Sequence, residues 1–131
     1  MTFVSVTRLR LRGARFFLPF LWHTTRARAQ VKTAEGCLSN TVRRTAGGTY
    51  WTLTTWRDEG AMRAYMTSGA HMKAMPKLKH WCDEAAVAHW TQGSTAISWT
   101  DAEQRLAQSG RLSKVLYPSP AQSAGRNMGS S

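Results

Sequence analysis

An α+β fold with the order strand, helix, strand, strand, helix, strand is what this sequence predicts. Three observations carry the prediction. Residues 3–11 and 49–56 alternate in the manner of strands and are rich in β-branched and aromatic types. Residues 14–34 and 58–81 instead place apolar side chains at helical spacing. Between two strand-like runs stands Gly47-Gly48, a pair able to take the positive φ of a tight hairpin. The order is the split βαβ arrangement of ferredoxin-like folds. It implies an antiparallel four-stranded sheet with both helices on one face.

The elements follow in turn. FVSVTRLRL, residues 3–11, is the first strand, and Gly13 breaks it. From 14 to 34, Phe17, Leu21, Thr24, Ala27 or Arg28, and Val31 recur at three- to four-residue spacing, with Arg26 and Lys32 on the other side. Pro19 falls near the start, where a helix tolerates it, and Gly36 stops the helix. CLSNTVRRT, residues 37–45, is the second strand and TYWTLTTW, residues 49–56, the third. Asp58 or Glu59 then lies in a first helical turn, complementing the dipole. Ala61, Met62, Tyr65 and Met66 form one apolar face. Ser68-Gly69 interrupts the helix, which resumes over 70–81 with Pro76 bending it. EAAVAHWT, residues 84–91, is the fourth strand. Ser98 opens a short helix over 99–109, closed by Gly110. From Tyr117 the chain is Pro, Ser, Ala and Gly with little apolar content, the composition of a flexible tail. The expected organisation is a domain over 1–96, a helical extension over 97–116 and a tail over 117–131.

A length of 131 residues fits one domain. Lys and Arg number 18 against 7 Asp and Glu, a formal net charge of +11, and no acid precedes Glu35. Such a surface draws nucleic acid, lipid head groups or acidic metabolites alike, without reading any of them. Cys37 and Cys82 form no CxxC pair and read as reduced thiols of a cytoplasmic protein. No window approaches the ~18 apolar residues of a membrane span. FFLPFLW, residues 16–22, is too short, and His-Thr-Thr-Arg follows it where a signal peptide needs a small-residue cleavage site.

Several chemistries lack their residues. His23, His71, His80 and His89 have neither HxxxH nor HExxH spacing, and no metal is expected. The run His80 to Glu84 reads as a charge cluster at a helix end. There is no P-loop and no GxSxG elbow. RNA-recognition domains share the βαββαβ order, but TYWTLTTW lacks their basic–Gly–aromatic motif, so nucleic acid is disfavoured. Strand three sets Trp51 and Leu53 on one face, Tyr50 and Trp56 on the other. Both faces therefore need cover. Helices supply one, and a second copy of the chain or stacked bases would supply the other.

What remains is an aromatic, apolar pocket holding one or two polar groups. Its candidate walls are Trp51, Trp56 and Tyr65, with Trp22 and His23 approaching from the first helix. His71 follows the Ser-Gly-Ala bend and would exchange a proton near neutral pH. The plainer alternatives are core packing for the tryptophans and a backbone-bonded helix-end role for His71. Arg43 or Arg44 would steer an anion inward.

TLTTWRDEGAMRAYMTSGAH, residues 52–71, resembles the dimeric α/β barrel superfamily, and within it the antibiotic-biosynthesis-monooxygenase type of domain. The shared features are a strand ending in Trp56, the acidic helix start Asp58-Glu59, the aromatic Tyr65, the bend Ser68-Gly69 and then His71. The likeness runs over about residues 3–92. GAHMKAM, WCDEA and GRLSKVLYPSP give a looser similarity to spheroidene-monooxygenase-like proteins. The resemblance implies a homodimer packed sheet on sheet, a small apolar or aromatic ligand in each subunit, and monooxygenase activity with His71 as proton acceptor. The family also holds haem-degrading members and non-catalytic ones. Met75 and Tyr65 stand where the haem-degrading members carry a ligand His and a Trp, so no cofactor is expected and haem is the alternative.

Overall fold

The computed structural model describes residues 1–94 and 96–125; within one helix the side chains of Ala70, His71, Ala74 and Met75 also lie outside the described residues. The alternating segments form a sheet around β1 (Thr2–Leu11). β1 runs antiparallel to β3 (Thr49–Trp56) on one side and to β4 (Cys82–Gln92) on the other. β2 (Cys37–Thr45) extends the sheet beyond β3, and β5 (Arg111–Leu112) beyond β4, giving the order β2-β3-β1-β4-β5. The expected sheet of four strands thus has a fifth. β5 is only two residues long, too short to show any alternation.

A single 3-10 turn (Ala14–Phe16) leads into α1 (Phe17–Lys32). The link from α1 to β2 depends on Gly36, whose φ is +82°. A Cβ there would sit 2.6 Å from the Ala61 Cβ, so only glycine fits. Gly47 and Gly48, with φ of +77° and +73°, close the hairpin between β2 and β3. Asp58 caps α2 (Glu59–Met66), its carboxylate accepting from the Ala61 N–H at 2.8 Å. α2 stops at Thr67, and α3 (Gly69–Trp81) carries Pro76 inside it.

The helices α1, α2 and α3 cover one sheet face. Val31 of α1 and Met62 of α2 pack there against Phe3 and Trp56. The other face is covered by α4 (Trp99–Ser109), whose start is capped by Ser98. Ala102 and Leu106, both fully buried, pack on Val4, Val6, Trp51, Leu53, Ala86 and Ala88. This changes the argument for a homodimer. The sequence left this face bare and called on a twin, yet the chain's own α4 seals it. The amphipathic pattern of 99–109 marks a helix but does not say which sheet it lands on.

The same face holds a buried ion network. Arg8, 3% exposed, donates to Glu84, 2% exposed, at 2.8 Å. Arg10 donates to the other oxygen of Glu84 at 3.0 Å, and the Ser119 hydroxyl at 2.7 Å. Ser119 also caps α5 (Pro120–Ser123), and Gln122 bonds the backbone of Ala85 and Ser113. The composition of 117–131 predicts a flexible tail, but its described part docks on β4 through these polar anchors. No described helix is long and apolar enough to cross a membrane.

Candidate active site

Strand register builds the site floor. Residues that pair across β2, β3, β1 and β4 form transverse rows, and on the helical face each row is made of alternate residues. One row is Asn40, Thr54, Ser5 and His89. The next is Val42, Thr52, Thr7 and Val87. All eight side chains line a cavity of about 150 Å³ beneath the helices. Phe20, His23, Ala27 and Val31 of α1 form its roof, and Met62, Tyr65 and Met66 of α2 one wall. Trp56 and Tyr50 stand at opposite ends of β3's contribution. The volume suits a one- or two-ring molecule rather than the roughly 300–1,000 Å³ of common ligand pockets.

The ring walls are held rigidly. The Trp56 indole N–H donates to Thr54 Oγ1 at 2.9 Å, and the ring lies 5.3 Å from that of Tyr65. The Tyr65 hydroxyl donates to the Ala27 carbonyl at 3.2 Å, tying α2 to α1. Burial, assisted by the Cys37 thiol, pushes the Tyr65 phenol up to about 12, so it stays protonated. Among the described residues two imidazoles reach the cavity. Nε2 of His89 is buried without a hydrogen-bond partner among the described residues, and the ring packs 5.5 Å from Phe3. Burial, with the charges of Arg111 and Arg63, holds His89 below the ordinary histidine value, so it is neutral at pH 7. His23 is held low as well, by burial and then by Lys77 and Arg26. The Lys77 ammonium lies 3.3 Å from His23 Nε2.

Comparison with known proteins fits this geometry. Residues 20–77 match the family described as antibiotic biosynthesis monooxygenase. The matched stretch runs from α1 into α3, less than half of the chain, and marks a likeness to that family. A conserved protein from Methanosarcina mazei superposes with a TM-score of 0.64 at 17% identity, over 71% of this chain and 94% of the other. SnoaB from Streptomyces nogalater, a cofactor-independent oxygenase, gives 0.59 at 18% identity, over 74% and 98%. A structure described as antibiotic biosynthesis monooxygenase gives 0.63 at 9% identity, over 70% and 99%. At such identities the likeness is one of fold. No curated protein matches the sequence.

The fold gathers only part of the expected site. Trp56, Tyr65 and His23 line the cavity. Trp51 does not: it is odd-numbered on β3, points to the opposite face and is fully buried against the α4 cluster. Trp22 is 62% exposed on the outer side of α1 and does not line the cavity. Arg43 pairs with Glu103 and lies over the Trp99 ring on the α4 side, so it cannot steer a ligand into this cavity. His71 falls in α3, but its side chain lies outside the described residues.

Other residues of the cavity were missed by sequence reasoning. His89, Ser5, Thr54 and Asn40 come together only once three strand registers are known. One signal was available: in AAVAHWT the histidine holds the same strand face as Val87. Among the described residues no group of His, Cys, Asp and Glu is placed to hold a metal ion.

Proposed function

We propose that this domain is a monooxygenase of a small phenolic substrate, working without a cofactor, with His89 as the proton acceptor. The observation that carries the reading is a neutral imidazole with a buried, unpartnered nitrogen beside a cavity walled by Trp56 and Tyr65. A buried polar atom with no partner is costly, and a ligand hydroxyl would satisfy it. SnoaB, described as a cofactor-independent oxygenase, supports the same chemistry for this fold.

The steps balance without a further reductant. His89 takes the phenol proton, and the phenolate becomes the electron donor. Its para carbon joins O2 to give a hydroperoxide. Loss of the proton on that carbon, with cleavage of the O–O bond, leaves a quinone carbonyl and water. One oxygen atom of O2 ends in the product and the other in water. The substrate supplies all four electrons, and His89 returns its proton. The apolar walls keep bulk water from the phenolate.

His71, expected to take this proton from sequence alone, is the second candidate, and the same experiment separates the two. Oxygen uptake with 1-naphthol is measured for the wild type, His89→Asn and His71→Ala. The His89 variant should lose at least ~100-fold in kcat, the usual scale of a general base. Equal rates in His89→Asn, with loss in His71→Ala, would move the role to His71. Absence of uptake in wild-type protein, with naphthol still bound, would support a non-catalytic binder instead. Haem is the weaker alternative because the cavity is small. RNA stacking is weaker still, since helices cover both sheet faces.

A further inference from the structure

A second concavity lies on the other side of Tyr50 from Phe20 and shares that residue with the cavity. It is a surface groove of about 580 Å³, walled by Arg10, Arg12, Arg44, Phe17 and the Gly47-Gly48 turn. Tyr50 lines both spaces, with the Phe20 ring 4.8 Å away on the cavity side. On the groove side the Arg44 guanidinium lies 5.8 Å from the ring centroids of both Tyr50 and Phe17. The Tyr50 hydroxyl is buried and lacks a hydrogen-bond partner among the described residues.

The groove is cationic and only partly neutralised. Arg10 pairs with Glu84 at 3.0 Å and Asp83 at 3.5 Å. Arg12 donates to the His80 carbonyl at 3.2 Å and lies 4.2 Å from the Tyr117 ring centroid, with no carboxylate partner among the described residues. Arg44 likewise has none. No acidic residue lines the groove. Gly13 and Ala14, where the turn before α1 begins without a side-chain cap or an acid, form its floor.

We infer that the groove binds the anionic end of the substrate, a carboxylate whose aromatic ring enters the cavity past Tyr50. The inference rests on the cavity being the substrate site proposed above, and narrows that substrate to an aromatic acid. Guanidinium groups take a carboxylate through paired, charge-assisted hydrogen bonds. The Tyr50 hydroxyl lies where the ring and the anion join. A neutral ligand would leave Arg12 and Arg44 without a counter-charge.

Two probes share a ring system and differ in charge: 2-naphthoate and 2-naphthol. Each is titrated by calorimetry into wild type, Arg44→Gln, the double variant Arg12→Gln/Arg44→Gln and Arg63→Gln, the last lying away from the groove. Wild type should bind 2-naphthoate at least ~10-fold more tightly, the scale of a hydrogen bond to a charged group. Arg44→Gln should shrink that preference, and the double variant should abolish it, with 2-naphthol unchanged throughout. Arg63→Gln should leave it intact. Equal wild-type affinity for the two probes overturns the groove assignment and leaves the cavity standing. So does a preference that survives the double variant, or one that Arg63→Gln removes equally. If neither probe binds, groove and cavity assignments fall together.

Discussion

Glu84→Gln tests the physics of the α4-covered face. The carboxylate accepts from Arg8 at 2.8 Å, Arg10 at 3.0 Å and Ser119 at 2.7 Å, and is 2% exposed. Neutralising it leaves the buried Arg8 guanidinium without its carboxylate. Breaking a buried pair from one side costs about 3–5 kcal/mol. That is a large part of a domain's ~5–15 kcal/mol. At roughly 3–5 °C per kcal/mol for a chain of this size, Tm should fall by roughly 10–20 °C. Circular dichroism melts at pH 7 measure it, with Glu59→Gln as control. Glu59 pairs with Arg63 on the exposed face of α2, at 2.6 Å, and such pairs are worth under ~1 kcal/mol. Added salt should weaken the Glu59 contribution but not that of Glu84. The pH dependence has a definite sign. Burial alone would raise the Glu84 value, but the bonds from Arg8 and Ser119, with the charges of Arg8 and Arg10, hold it below the ordinary one. Its contribution is therefore complete above the unfolded glutamate range and fades as acid protonates the folded carboxylate. The gap between wild type and Glu84→Gln should close below about pH 4. A loss under ~1 kcal/mol at pH 7, or a gap that persists in acid, would refute the reasoning.

Leu106→Ala should cost about 3–5 kcal/mol, because the side chain is fully buried against the sheet. Guanidinium titrations should give the same loss at every protein concentration, since the cover is intramolecular; stability that rises with concentration would show a second copy supplying it. For His89, burial favours the neutral form, so its working base persists below the ordinary value. The acid limb of kcat/KM should lie below about pH 6.5, and a limb above it would assign the base elsewhere.

Some of the site was legible early. Trp56 and Tyr65 were readable because a strand end and a helix face repeat locally, and local pattern is what a sequence shows. Trp51 was misplaced by the same strand: proximity to Trp56 suggested a shared pocket, whereas an odd offset on a strand sends the two rings to opposite faces. His89 was passed over because its cavity partners, Ser5 and Thr54, lie far away in sequence. The docked tail was missed for a different reason. Its anchors, Ser119 and Gln122, are polar, and hydrophobic patterning cannot register a hydroxyl that completes a buried carboxylate.

Periodicity, glycine positions and capping residues determined the elements and their order, because each acts within a few residues along the chain. Composition determined that the chain is strongly basic, with no acid before Glu35. Tertiary structure alone decided which face of the sheet lies over the cavity, that α4 seals the second face, and that Arg44 lines the groove, not the cavity, while Arg43 turns to α4. Those outcomes depend on register and on the landing place of a helix, which are set by contacts between residues far apart in the chain.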